Sequence, residues 1–211
     1  MTAADGVARR TCRLLLLGTF AVALGAGPAL ASRELSADLG YIVTSETRYG
    51  SGLVYGVSVI EGSGRFGLGI SYMRFTNSNS TQRPVKVGQD VIVYKYKEEF
   101  SDSYVSVMAT WTYSTRAGPR LIAGVGPQVH FLSATKHYVV ERYVQTARES
   151  RLGIGATLRY YRGLEIFGGI RLLVAASYSW MESGVEVQDV YAPPPQGLNS
   201  AAITAGLAFP F

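Results

Sequence analysis

The chain has 211 residues, among them 24 glycines and 14 tyrosines, with 17% charged residues and a formal net charge of +5. Removing Arg9, Arg10, Arg13 and Asp5, all within residues 1–31, lowers that charge to +3, too mild and dispersed a balance for a nucleic-acid partner. The apolar and glycine content excludes a disordered chain, and about 180 residues after the N-terminal segment suffice for one domain.

Arg9, Arg10 and Arg13 form a basic start, 14–24 an apolar run, and Ala29, Leu30 and Ala31 a small-residue cleavage site before Ser32. This pattern predicts a signal peptide over 1–31, removed on export. The run falls short of the roughly 20 residues of a spanning helix. Cys12 precedes it, so the exported chain carries no thiol, disulfide or thiolate ligand. No later apolar stretch reaches helical spanning length, so a membrane crossing would require a closed β-barrel.

From Ser32 onward, apolar residues recur at every second position, the period of a strand. Leu35, Ala37, Leu39, Tyr41 and Val43 oppose Ser36, Asp38 and Gly40 in the first segment. Leu53, Tyr55, Val57 and Val59 oppose Gly56 and Ser58 in the second, and Phe66, Leu68, Ile70 and Tyr72 oppose Gly67, Gly69 and Ser71 in the third. The fourth sets Val105, Val107, Ala109, Trp111 and Tyr113 against Tyr104, Ser106, Thr110 and Thr112. In the fifth, Leu121, Ala123, Val125, Val129 and Phe131 oppose Arg120, Gly124, Gly126, Gln128 and His130. The sixth sets Leu152, Ile154, Ala156, Leu158 and Tyr160 against Arg151, Gly153, Gly155, Thr157 and Arg159. The seventh begins at Leu164 and Ile166 and continues to Trp180, with Glu165, Gly169, Arg171, Ser177 and Ser179 opposed. The eighth sets Ile203, Leu207, Phe209 and Phe211 against Thr204 and Gly206.

Tight, glycine-bearing turns at 61–64, 115–118 and 162–163 alternate with long linkers at 77–101, 133–148 and 182–197, and with a modest loop at 46–50. Short turns at one end and long loops at the other are the asymmetry of an outer-membrane barrel. Tyr41, Tyr72, Phe131, Tyr178 and Trp180 would ring its outer interface, and Phe66, Trp111, Tyr113, Tyr160, Phe209 and Phe211 its inner one. The rival is a soluble, lipocalin-like barrel with the apolar face inward. The opposite face argues against it, because a water-facing surface favours Lys and Glu over the many glycines found there. In a narrow lumen those glycines read as space for arginines and tyrosines.

Signal peptide, alternation, loop asymmetry and the terminal Phe211 together resemble the small eight-stranded bacterial outer-membrane barrels of the OmpX and OmpA membrane-domain type. The resemblance implies an all-β, up-and-down transmembrane barrel over 32–211, in a Gram-negative-type outer membrane. It implies contact with outer-membrane lipid and lipopolysaccharide. It also implies a barrel-assembly machinery that reads the closing strand, with Leu207, Phe209 and Phe211 as the signal.

An eight-stranded lumen is just filled by side chains. Asp38, Gln128, Arg151, Arg159, Glu165 and Arg171 are therefore expected to form a paired polar network that plugs it, with Arg159 and Glu165 opposite each other across the turn at 162–163. A narrow ion or small-solute pore is the alternative. Residues 90–100 and 137–145 alternate Val and Tyr with charge, and are expected to prolong the fourth, fifth and sixth strands into a protruding sheet. Such an edge could recruit a host or cell-surface protein by strand addition. Residues 192–196 read as a stiff extended segment. His130 and Ser133, with His137, Glu141 and Glu149 nearby, raise a lipid A-modifying enzyme as a second alternative, but His130 and Ser133 have opposite parity and face opposite ways. The sequence thus points to a non-catalytic structural or surface-interaction protein, acting in adhesion or defence, with no catalytic residues, metal or cofactor.

Overall fold

A computed structural model of the chain describes residues 32–45, 49–87, 90–114, 120–138, 143–163, 169–183 and 196–211. The expected signal peptide, most of 192–196, and Glu141 and Glu165 lie outside them. Eight strands close into one antiparallel barrel: β1 (Ser32–Thr44), β2 (Ser51–Ser63), β3 (Phe66–Val87), β4 (Asp90–Ser114), β5 (Arg120–Tyr138), β6 (Tyr143–Gly163), β7 (Arg171–Ser183) and β8 (Gln196–Pro210). Each pairs with its chain neighbours, and β1 pairs with β8. The period-two pattern decides which face is which. Along β2, Leu53, Tyr55 and Val57 are exposed while Val54, Gly56 and Ser58 are buried. The barrel is thus apolar on the outside.

Several boundaries differ from those read in the sequence. β2 continues to Ser63, which pairs with Phe66, so the first tight turn is Gly64 and Arg65, with Gly64 at φ 68. β6 runs through Gly163, which pairs with Arg171, so β7 begins at Arg171 and not at Leu164. Gly169, read as an interior strand position, lies ahead of β7 with φ 104. The apolar residues at 164–170 carried the alternation past the true strand end.

Above the loop end the expected prolongation of the strands is present and extends to β3. β3 and β4 pair continuously from Phe66↔Trp111 to Val87↔Asp90, and β5 and β6 pair up to Tyr138↔Tyr143. The described residues of 77–101 and 133–148 are therefore strand, and β3 is prolonged as well as β4, β5 and β6. Thirteen residues, the length of β1, β2 and β7, rise roughly 30 Å at a strand tilt near 45°. β4 has 25, which lifts its tip a further 25–30 Å or so. β2 stops pairing with β3 at Phe75, and β7 stops pairing with β6 at Gly153. Beyond those points β3–β4–β5–β6 continues as a four-stranded sheet as far as Thr81, Tyr96, Tyr138 and Tyr143, above which β3 pairs with β4, and no described strand pairs with the outer edge of β3 or of β6.

Inside, side chains are layered. Toward the loop end, Tyr49, Phe75, Phe100, Tyr104, Leu132 and Met181 belong to one apolar cluster. Toward the short-turn end, Ile60, Ile122, Tyr161 and Leu173 form another. A polar belt lies between. The interior is thus less polar than the alternation implied, because a packed lumen needs volume that apolar groups fill without needing hydrogen-bond partners.

The interior glycines make room for residues other than arginine and tyrosine. A Cβ at Gly155 would run into the Gln128 amide, one at Gly56 into Met73, and one at Gly126 into the backbone of Val107. Gly126→Ala is expected to cost about 1–3 kcal/mol, because a strand wall must shift. Gly163→Ala, with no described atom within 4 Å of the added Cβ, is expected to leave stability unchanged. Urea unfolding of both variants, refolded in detergent micelles, checks the contrast.

Candidate functional site

The belt is built where inward positions of several strands reach one level. Arg159 of β6, 5% exposed, donates from Nη1 to Ser36 Oγ at 3.2 Å and to Ser58 Oγ. Ser36 Oγ lies 2.6 Å from Ser58 Oγ and 3.3 Å from Asp38 Oδ1. Asp38 is 6% exposed and feels the Arg159 charge. Arg159 and Asp38 thus share a network joining β6, β1 and β2. The position opposite Arg159 on β7 is Ala175, and the expected partner Glu165 lies outside the described residues.

A second group lies nearer the loop end. His130 is fully buried, with Nδ1 2.9 Å from Asp102 Oδ2 and Nε2 3.2 Å from Ser179 Oγ. Ser179 donates to Gln128 Oε1 at 2.6 Å, and Tyr104 packs its ring 4.8 Å from that of His130. Gly153 and Gly155 on β6 let His130 and Gln128 reach across to β7, since a Cβ at either would meet those side chains. Carboxylate, imidazole and hydroxyl stand in the order that activates a nucleophile. Ser179, however, is 3% exposed, its hydroxyl is bonded to Gln128, and the small cavity deeper in the lumen, lined by Ser58 and Thr157, measures about 10 Å³. A substrate pocket takes roughly 300 Å³ or more. The arrangement ties β4, β5 and β7 together.

At the short-turn mouth, Glu34 Oε2 accepts from Arg171 at 3.0 Å and from Arg120 at 3.3 Å, and Arg120 lies over the Tyr161 ring. Arg171 is therefore apart from Asp38. Arg151 pairs with Glu149 near the loop-end opening, above the buried belt. Sequence parity places Ser36, Ser58, Ser179 and Arg120 inward but does not single out Glu34 or Asp102. Asp102 sits between the inward aromatics Phe100 and Tyr104, which break the polar-in alternation.

The outward face is apolar: 27 large hydrophobic side chains are exposed among the described residues, with Leu152 at 75% and Ile203 at 68%. Tyr41, Tyr72, Tyr178 and Trp180 lie on it toward the loop end, and Phe66, Trp111, Tyr113, Tyr160, Phe209 and Phe211 toward the other. Phe131 and Leu207 share this face. Ser133 also points outward while His130 points inward, so the two do not meet.

On the sheet extension the outer face turns polar. Lys97, hydrogen-bonded to Glu99 at 2.8 Å, holds that carboxyl below the usual carboxylate range, and His137 at 3.7 Å adds to the effect. The pairing is present at neutral pH and is lost as pH falls through the lowered value. Among the described residues no group of three or more His, Cys, Asp or Glu could hold a metal ion.

No protein-family model and no curated protein matches the chain. Solved structures do. Neisserial surface protein A is 14% identical, with 86% of this chain and 99% of that one covered and a TM-score of 0.50. The outer membrane protein OprG of Pseudomonas aeruginosa is 10% identical over 88% and 98% of the two chains, with a TM-score of 0.52. A major outer membrane protein of Thermus thermophilus is 12% identical over 86% and 99%, with a TM-score of 0.60. The fold is that of the small outer-membrane barrels. At such identities the likeness is one of architecture.

Removing Arg159 leaves Asp38 buried beside its former cation. Arg159→Met is expected to destabilise the barrel by about 3–5 kcal/mol, and adding Asp38→Asn to recover part of that loss. Denaturant unfolding of the single and double variants measures the coupling.

Proposed function

We propose that the chain is an integral outer-membrane protein that acts at the cell surface through its four-stranded extension, without catalysis and with a plugged lumen. The observation that carries this reading is an exposed apolar belt with a long, edge-bearing sheet standing above one end of it. Leaving a large apolar side chain in water costs about 1.5–3 kcal/mol, so 27 of them represent tens of kcal/mol, more than the ~5–15 kcal/mol net stability of a typical domain. Lipid removes that cost. The aromatic residues at the two ends of the belt then sit at the two interfaces.

Residues 1–31 act as a cleaved signal peptide in this reading. Leu207, Phe209 and Phe211 are the assembly signal, exposed on the closing strand and available to the barrel-assembly machinery. Outer-membrane lipid and lipopolysaccharide surround the belt. The partners above it are host or cell-surface proteins, and the outer edges of β3 and β6, along which no described strand runs, offer backbone groups for strand addition. Adhesion or surface defence follows from such binding.

Phe75, Phe100, Tyr104 and Leu132, packed in one apolar cluster across the lumen, argue against the pore. The polar belt beneath closes it by hydrogen bonding. The refolded barrel is expected to be silent in a planar bilayer, and discrete reproducible openings would sink the plug. Replacing 78–99 by a two-residue turn is expected to abolish adhesion of expressing cells to host-cell monolayers while leaving the heat-modifiable barrel intact; undiminished adhesion would count against the extension as the binding element. Deleting Phe211 should lower the amount of heat-modifiable barrel in cells, read by gel shift.

A further inference from the structure

The outer wall of β1–β5 carries two concavities, one above the other. The lower is an apolar groove of about 180 Å³ between Leu35, Val57, Ile70, Val107, Tyr72 and Phe131. The upper, about 460 Å³, is polar and open, lined by Arg74, Thr76, Ser101, Ser133 and Thr135. They are continuous along the strands, because Tyr72 precedes Arg74 on the outward face of β3 and Phe131 precedes Ser133 on that of β5. The transition from apolar to polar therefore falls at the loop-end aromatic level.

Register adds a second cation. Thr76, Ser101, Ser133 and Arg148 are successive cross-strand partners on β3, β4, β5 and β6, so Arg148 stands at the far end of the row above Arg74. Both arginines are exposed, and neither makes an ion pair among the described residues. The acidic wall residue, Glu99, is already paired with Lys97. Three strand spacings separate β3 from β6, about 14 Å, with hydroxyls filling the interval. Two unpaired guanidiniums flanking a field of hydroxyls are the donor set for phosphate and sugar oxygens, and Arg is suited to bidentate phosphate contact. The groove below would take part of an acyl chain.

We propose that this wall binds a bis-phosphorylated glycolipid of the outer leaflet, with Arg74 and Arg148 each taking one phosphate, the hydroxyl row taking the sugar, and the groove by Tyr72 and Phe131 taking an acyl chain. The proposal rests on the outer-membrane reading above and names the lipid and its residues. A peripheral protein ligand would have no use for the apolar groove. A zwitterionic phospholipid carries one phosphate and lacks the sugar that spans the row.

The test uses the full barrel refolded in phosphatidylcholine nanodiscs doped with a few per cent of spin-labelled lipid A that is bis-phosphorylated, mono-phosphorylated or dephosphorylated. The wild type should hold the bis-phosphorylated form roughly tenfold or more over the dephosphorylated one, with the mono-phosphorylated form between. Arg74→Gln with Arg148→Gln should remove that preference, and Lys at both positions should restore most of it. Equal retention of the three lipids by the wild type would overturn the site whether or not the variants fold. So would an unchanged preference in a folded Gln variant. Failure of the wild type to form a heat-modifiable barrel in any lipid would overturn the membrane reading and the site with it, whereas a well-inserted barrel with no preference would overturn the site alone.

Discussion

Eleven residue pairs between β1 and β8, from Glu34↔Pro210 to Thr44↔Ser200, join the two ends of the sheet. In water an open edge would be hydrated. In hydrocarbon every unpaired N–H and C=O costs several kcal/mol, so a chain that displays apolar side chains outward depends on this closure. The inverted pattern and the closed sheet are thus one solution: each is costly without the other. The backbone hydrogen bond from Phe211 N to Arg33 O extends the seam beyond the last strand residue.

Closure also creates the interior problem. Eight strands enclose too little room for water-filled space and too much for glycine alone, so the lumen is packed in layers. Buried charges meet partners from other strands in three places: Glu34 between Arg120 and Arg171, Arg159 between Ser36 and Ser58, His130 between Asp102 and Ser179. Each set crosses several strands, so the polar groups fix register as well as balancing charge. Removing one partner strands the other in a dry interior, which makes this part of the barrel intolerant of single changes.

Parity was legible in the sequence, because Leu53, Tyr55 and Val57 or Leu152, Ile154 and Leu158 alternate without interruption. From parity came the barrel, the strand count and the outward aromatics. Register was not legible. It depends on where each hairpin turns, and the alternation through 164–170 runs ahead of the start of β7 at Arg171, which leaves Ala175 opposite Arg159. The extension was only partly legible: 90–100 has strand character, whereas 77–87, rich in Ser and Asn, does not, and follows β4 because the hairpin pairs it. The Asp102–His130–Ser179 contacts required three strands to be placed in depth, which no local pattern encodes.

The four-stranded extension has an even number of strands, and that fixes a polarity. β3 ascends from the barrel, and β6 descends toward it. An extended segment adding antiparallel to β3 must direct its C-terminus toward the barrel, while one adding antiparallel to β6 must direct it away. The two margins of the same sheet thus select opposite chain directions, and a tethered guest peptide can satisfy one margin or the other according to which of its ends is anchored.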